Sequence, residues 1–356
     1  MVSHVTARDR VGTRAHCPAG NRRRPRSAAL GRRALAVAAG ISVDALLGEP
    51  PFLHPVAGFG RVMTALEQRM WRDARGAGVG YVVAGACGAW GTGMAGSRAV
   101  GSSPALGASV AVCTAGRALF DAALGVADAL DAGDVDTARE LLPVLAGRSP
   151  EGLDEKEIAR AVVESVAENL SDAVVASAIW GLAAGAPGVL VHRAVNTLDA
   201  MVGHKSARYR RFGWAAARAD DVMAWPAARA TAALVALARP ARAAEVWRTV
   251  RRDARRHPSP NAGVAEAAFA AALGLRLGGV NRYGDRVEVR GALGTGRPPE
   301  PADIRAAVDL GRRTTVVLVL LLGAAGGALS RLARAGPSGH RPRGGAGARR
   351  RARKSV

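Results

Sequence analysis

Apolar runs alternate with short polar stretches along the chain, and the runs predict helices. Six stand out: Ala34–Leu47, Val79–Ala95, Ala105–Leu124, Ala173–Val191, Val222–Leu237 and Thr314–Leu329. A bilayer-crossing helix needs roughly 17–25 mainly apolar residues, and several of these approach that length. Thr314–Leu329 carries VVLVLLLGAAGGAL, while Val79–Ala95 and Ala173–Val191 contain no charge. The other three are interrupted, by Asp44, by Arg117 and Asp121, and by Pro226 and Arg229. Gly and Ala dominate the runs, as in membrane helices whose backbones approach closely. The expected fold is therefore an all-α, polytopic integral membrane protein with polar helical and loop segments between spans; the competing reading is a soluble Ala-rich bundle.

The polar stretches carry punctuation of their own. Ala127–Arg148 reads as an amphipathic helix pair, and Asp154 with Glu157 resembles a capping box opening the next helix. Arg239–Arg256 is basic and helical until HPSPNAG breaks it, and the stretch from Asn281 through NRYGDRVEVR reads as a hairpin or a loop. No period of 20–50 residues recurs, which excludes solenoids.

Composition adds a charge asymmetry. The 356 residues carry a net charge of +21 with aromatics at only 4%, and the mean hydropathy is +0.07. Residues 1–33 hold nine Arg and one Asp, and residues 331–356 hold eight Arg and one Lys with no acid, which leaves +4 for residues 34–330. The basic excess thus belongs to two low-complexity ends, 1–33 and 331–356, expected to be disordered, around a membrane-embedded domain at 34–330. That distribution argues against a nucleic-acid partner. Basic ends flanking an apolar body instead suit the cytoplasmic membrane with both termini inside and an even number of spans, four or six. Residues 1–33 read as an extension rather than a signal peptide. Cys17, Cys87 and Cys113 show no CxxC spacing, which excludes zinc ribbons and thiol redox motifs.

Three constellations carry candidate chemistry. In ESVAENLSD, Glu164, Ser165, Glu168, Asn169 and Asp172 fall within an arc of roughly 140° on a helix, opposite Val162, Val163, Val166 and Leu170. Three carboxylates on one face beside an apolar run repel unless they meet a cation or water, and they suit Mg²⁺. The competing reading is a solvated helix face. In the block 196–222, Asn196 and Asp199 share a face; Lys205, Arg208, Arg210 and Arg211 form a basic patch beside Tyr209; and Asp220 and Asp221 follow. The patch suits a phosphate or carboxylate, or is merely flanking charge. In HPSPNAG, two prolines present His257 and Asn261 on a stiff backbone. The Gly-Gly pair before Asn281 is a binding loop or only a turn. P-loop, Rossmann, zinc-protease and hydrolase-elbow motifs are absent.

Four blocks together, DALLGEPPFLHPVAGFGRVMTALE (44–67), GLDEKEIARAVVESVAENLSDAVVA (152–176), AVNTLDAMVGHKSARYRRFGWAAARADDV (194–222) and HPSPNAGVAEAA with GLRLGGVNRYG (257–284), resemble the CobD/CbiB family of cobalamin biosynthesis. The resemblance spans about Ala34 to Val289. Two positions depart from the family pattern: Ala173 follows Asp172 where Gly is usual, and Val264-Ala265 stands where Trp-Pro is frequent. The resemblance implies an adenosylcobinamide-phosphate synthase. Its reaction would be ATP-dependent joining of the ring D propionate of adenosylcobyric acid to (R)-1-amino-2-propanol or its O-phosphate. It also implies a corrinoid substrate, membrane lipid as surroundings, and other corrinoid-pathway membrane enzymes as candidate partners. A carboxylate is a poor acylating agent, so activation by ATP with Mg²⁺ and nearby cations fits the residues. On this reading Glu164, Glu168 and His257 are catalytic, His257 assisting deprotonation of the amine. Asp172, Asp220 and Asp221 are metal ligands, with Glu164 and Glu168 available beside them. Asn169, Asn196, Asp199, Lys205, Arg208, Tyr209, Asn261 and Asn281 bind substrate or phosphate. The alternatives are a non-enzymatic AmpE-like membrane signalling protein and a transporter, for which no internal repeat is visible.

Overall fold

The computed structural model describes residues 23–48, 55–147, 149–204, 206–283 and 286–334. Its helices are α1 (Arg23–Leu47), α2 (Pro55–Met70), α3 (Arg75–Val100), α4 (Ser102–Thr114), α5 (Gly116–Asp131), α6 (Val135–Leu141), α7 (Glu155–Asn169), α8 (Ala176–Val202), α9 (Trp214–Ala238), α10 (Ala243–Asp253), α11 (Ala262–Leu273) and α12 (Ala302–Arg334). One antiparallel hairpin, β1 (Leu277–Tyr283) with β2 (Arg286–Leu293), completes them. The all-α expectation holds, and the stretch beginning at Asn281 resolves as a hairpin rather than a loop.

Helix α11 lies at the centre. Its sequence AGVAEAAFAAAL is apolar on every side but for Glu266, and every residue from Ala262 to Ala272 is buried, the pattern of a helix enclosed on all sides. Around it pack α7, α9, α10 and α12. Helix α7 starts where the sequence predicts: Asp154 accepts from the Glu157 amide at 2.8 Å, and Glu157 accepts from the Asp154 amide at 3.1 Å. A smaller apolar cluster of Met63, Tyr81, Leu198 and Phe212 ties α2 and α3 to α8.

Among the described residues three helical stretches are long and apolar enough to cross a membrane: Ser102–Asp131, Glu155–Val202 and Ala302–Arg334. They cover three of the six expected runs. The remaining runs fall in α1, α3 and α9, where flanking arginines, frequent glycine, and Asp220, Asp221 and Arg229 dilute the apolar character. Charges inside the first stretch are accommodated locally. Left-handed Ala115 breaks it between α4 and α5; Asp44 accepts from the Gly116 and Arg117 amides at 3.0 and 3.3 Å, capping α5. Arg117 pairs with Asp121 at 3.4 Å and donates to the Leu46 carbonyl. On α12 one face is buried, whereas Val316, Leu320 and Leu321 are exposed, as a lipid-facing surface requires.

The second stretch is broken twice. A π-helical turn spans Leu170–Val175, and α8 is kinked at Gly185, whose φ of 69° suits glycine alone. Pro187 lacks an amide proton and so frees the Ala183 carbonyl. Arg33 Nη1 fills the gap, donating to the Leu182 and Ala183 carbonyls at 3.0 and 2.9 Å. Arg33 therefore belongs to the folded body. This corrects the boundary at residue 34: α1 begins at Arg23 and α12 continues to Arg334, because both helices pack along one another past the apolar run. Residues before 23 and after 334 lie outside the described residues.

Helix α3 closes on the kink at Gly93, where an added Cβ would sit 2.6 Å from Pro187 Cα and N, whereas one at Gly91 would meet nothing within 4 Å. Gly93→Ala is expected to destabilise the purified protein by about 1–3 kcal/mol. Gly91→Ala is expected to be neutral or stabilising by about 0.5–1 kcal/mol. Thermal unfolding in detergent measures both; equal melting temperatures for the two variants would contradict this packing.

Candidate functional site

Three helices converge to gather carboxylates. Helix α7 and the π turn supply Glu168 and Asp172, α8 supplies Asn196 and Asp199, and the first turns of α9 supply Asp220 and Asp221. Asp172 feels Asp220, Glu168 and Asp199 as like charges and Arg193 as the opposing one. Asp220 in turn neighbours Asp199, Asp221 and Glu168. Arg193 Nη1 donates to Asn196 Oδ1 at 3.3 Å, and Asn196 Nδ2 donates to Asp220 Oδ1 at 3.3 Å. Asn196 thus relays a cation toward Asp220. Asp221 turns outward: its Oδ2 meets Arg218 at 3.1 Å, and its carbonyl accepts from Asn261 Nδ2 at 2.8 Å.

The donor chemistry suits a hard divalent cation, since every candidate ligand is an oxygen. Among the described residues no three His, Cys, Asp or Glu side chains are grouped closely enough to hold an ion by themselves. Mg²⁺ commonly binds through one or two carboxylates plus substrate phosphates and water, and the cluster fits that mode rather than an all-protein cage. Asp172, Asp199 and Asp220 lie close enough to act on one another electrostatically, so Asp199, expected as a substrate-binding residue, is part of this cluster.

A second polar group lies one helical turn back along α7. Glu164, 1% exposed, accepts from the Gly278 amide at 2.8 Å. A small cavity of about 90 Å³ is lined by Glu164, Ser165, Glu168 and Arg290 among others. Arg290 Nε meets Glu288 at 3.2 Å, and its Nη1 is 3.8 Å from Glu266, a fully buried carboxylate of α11. His257 Nε2 is 3.4 Å from the same Glu266 oxygen.

His257 does not stand as a free base. Its Nδ1 accepts from the Ser259 amide at 3.0 Å, which puts the ring proton on Nε2, toward Glu266. Burial, with Arg290 adding to it, pushes the ring down to about 4, so the imidazole is neutral near pH 7 with no lone pair left for an amine. In this arrangement the ring is placed to meet Glu266 and not an amine.

The other expected residues are distributed as follows. Asn169 Nδ2 donates to the Ser165 carbonyl and Oγ at 2.9 and 3.0 Å, a bond within its own helix. Asn261 is stitched to α9 on both sides, by Asp221 and by Arg229 Nη1 at 2.7 Å, so it positions the loop. Asn281 is buried at 2% exposure in β1. Arg208 and Tyr209 converge on Glu67 of α2, at 3.1 and 2.8 Å, with the Arg208 guanidinium also over Trp71. Lys205 lies outside the described residues.

Sequence reading misses Arg193, Arg160, Glu266, Arg290 and Glu67. Glu266 carries a signal, as the lone charge in an otherwise apolar helix. Arg160 stands one turn before Glu164 on the same face. Nothing in the spacing marks Arg193 or Arg290. Beyond Arg193, an apolar cavity of about 430 Å³ opens between α2, α3, α4 and α8, lined by Phe59, Met63, Ala89 and Leu190 among others.

The family model described as CobD/Cbib protein matches residues 37–311. The chain is 46% identical over 291 residues to the cobalamin biosynthesis protein CobD of Mycobacterium tuberculosis (strain ATCC 25618 / H37Rv), covering 79% of this chain and 91% of that one. Against the protein of the same name from Geobacter metallireducens it is 40% identical over 302 residues, covering 79% and 93%. The Rhodobacter capsulatus protein of that name is 46% identical over 208 residues, 58% of this chain and 66% of that one. No solved structure matches. A match over most of the length, including the helices that gather the carboxylates, establishes that this chain belongs to the CobD/CbiB family.

Proposed function

We propose that the protein acts in cobalamin biosynthesis as an adenosylcobinamide-phosphate synthase of the acid–amine ligase type in the cytoplasmic membrane. The observation that carries this reading is the carboxylate cluster of Glu168, Asp172, Asp199 and Asp220, drawn from three helices and half-buried beside one buried-edge arginine. The reaction joins the ring D propionate of adenosylcobyric acid to (R)-1-amino-2-propanol or its O-phosphate. ATP would supply the activation that a carboxylate lacks, and Mg²⁺ bound through one or two of Asp172, Asp199 and Asp220, with phosphate oxygens and water as its other ligands, would offset the phosphate charge.

The chain's own residues have separable tasks. Asn196 orients Asp220 and links it to Arg193. Arg193 borders both the cluster and the apolar cavity, and its Nε is buried without a hydrogen-bond partner. It is the cation suited to receive the propionate, with the corrin edge against the apolar wall. Glu164 and Glu168 line the small cavity and are the candidates to accept the amine proton. His257 and Arg290 meet at one Glu266 oxygen, so that the buried carboxylate links the His257 loop to β2.

Asp220→Asn keeps the shape and the Asn196 contact while removing the charge. It is expected to lower kcat for cobinamide formation about a hundredfold or more, with membrane insertion and thermal stability retained; Asp221→Asn is expected to fall less. Wild-type turnover in Asp220→Asn would sink the metal role. For His257 the folded pKa of about 4 lies below the ordinary 6.5. Its contribution to stability is therefore present above about pH 6.5 and is lost as pH falls toward 4. Melting temperatures between pH 4 and 7 should drop less steeply for His257→Gln than for wild type. Parallel curves would show that the ring titrates normally.

A further inference from the structure

A basic cleft lies at the start of α7, apart from the carboxylate cluster. It has a volume of about 520 Å³ and lies between the first turns of α7 and the Gly278-Gly279 segment of β1, with Lys156, Arg160, Arg276 and Arg290 in its walls. Asp154 and Glu157 also border it, but each is engaged with the other's backbone in the capping box. Arg160 donates through Nη1 to the Gly278 carbonyl and through Nη2 to the Val280 carbonyl at 2.8 Å. Bonds to neutral carbonyls leave its charge uncancelled. Neither Arg160 nor Arg276 pairs with a described carboxylate. Lys156 reaches Glu300 only at 4.0 Å with both side chains more than half exposed, a contact of small worth.

The glycine pair is explained by this arrangement. Gly278 forms a bulge opposite β2 at φ 84°, where a Cβ would run into the Gly291 carbonyl. Gly279, at φ 105°, has no room for a Cβ beneath the Arg160 guanidinium. The pair lets a guanidinium lie against bare backbone and sets its fork at the cleft wall. Arg290 borders both this cleft and the small cavity holding Glu164 and Glu168, so a ligand in the cleft adjoins the proposed reaction chamber.

We propose that this cleft is a binding site for a phosphate group of a substrate. With Arg290 paired to Glu288, the cations Lys156, Arg160 and Arg276 face the carboxylates of Asp154 and Glu157 and leave one excess positive charge, and the exposed Arg276 guanidinium favours an anion with several oxygens. Along α7, Arg160 and Asp172 are about 18 Å apart at 1.5 Å per residue, so an anion here is separate from a cation held in the carboxylate cluster. The site rests on the synthase reading only for the source of the phosphate: the O-phosphate of aminopropanol where ATP occupies the carboxylate cluster, or ATP itself, which would move the nucleotide away from that cluster.

The test is calorimetric binding of inorganic tripolyphosphate and of inorganic phosphate to the purified full chain in detergent. The comparison is wild type against Lys156→Ala/Arg276→Ala, both exposed side chains whose loss leaves the melting temperature within a degree or two. The double variant is expected to bind at least tenfold more weakly, and Arg276→Glu more weakly still, with the wild-type affinity falling as salt rises. Equal affinity in wild type and variants, or no binding by wild type, overturns the site. Titration with ATP, with (R)-1-amino-2-propanol O-phosphate and with the unphosphorylated amine then identifies the source. The phosphate-bearing ligand that loses tenfold in the double variant is the occupant, and loss by neither overturns the proposal. These readouts need no turnover. An inactive protein that binds phosphate in the cleft would count against the synthase reading alone, and an active one with unaltered binding would count against the cleft alone.

Discussion

Glu168, Asp172, Asp199 and Asp220 come from three helices into one half-buried region, and carboxylates held together away from bulk water repel. Nothing in the apolar packing of α7, α8 and α9 offsets that repulsion. Arg193 supplies one opposing charge, relayed through Asn196, and a divalent cation at the cluster would offset more of the repulsion. The rest of the bundle serves to hold those three helix segments in place. The π turn at Leu170–Val175 carries Asp172, and such turns recur at functional positions because they widen the backbone spiral locally. The enclosed helix α11 provides the floor against which α7 and α9 rest.

The break in α8 shows how a membrane-type helix can be interrupted without leaving orphaned backbone groups. Carbonyls freed near Pro187 would be costly in an apolar setting. Arg33 of α1 donates to two of them. The charge thus stays with the helix ends while α3 closes on the kink through Gly93. The polar demands of this fold are met by long-range side-chain bonds, as also at Asp44 on the α5 N-terminus.

Much of this was legible in the sequence, for identifiable reasons. The capping box at Asp154 and Glu157 is a local signal and is found where expected, and the face carrying Glu164, Glu168 and Asp172 follows from helical periodicity. The blocks that resemble the CobD/CbiB family gave the kinship outright. What periodicity cannot give is the partner across a gap. Arg193 sits in an apolar run and meets the cluster only through the convergence of α8 with α7. Arg208 and Tyr209 read as phosphate ligands until Glu67, more than a hundred residues away, is seen between them. His257 read as a base because its loop is stiff, yet that same stiffness turns its Nδ1 onto the Ser259 amide. The first boundary was misplaced because composition marks arginine-rich sequence as solvated, whereas Arg33 is a structural donor.

The central claim is that this chain forms the amide between a corrinoid propionate and an aminopropanol. The most direct measurement is to express the full chain in a bacterium lacking its own synthase, supply cobyric acid, and follow cobalamin-dependent growth. Rescue by the wild-type chain is the expected result. Absence of rescue with the protein present in the membrane, in a host that grows once cobinamide is added, would contradict it.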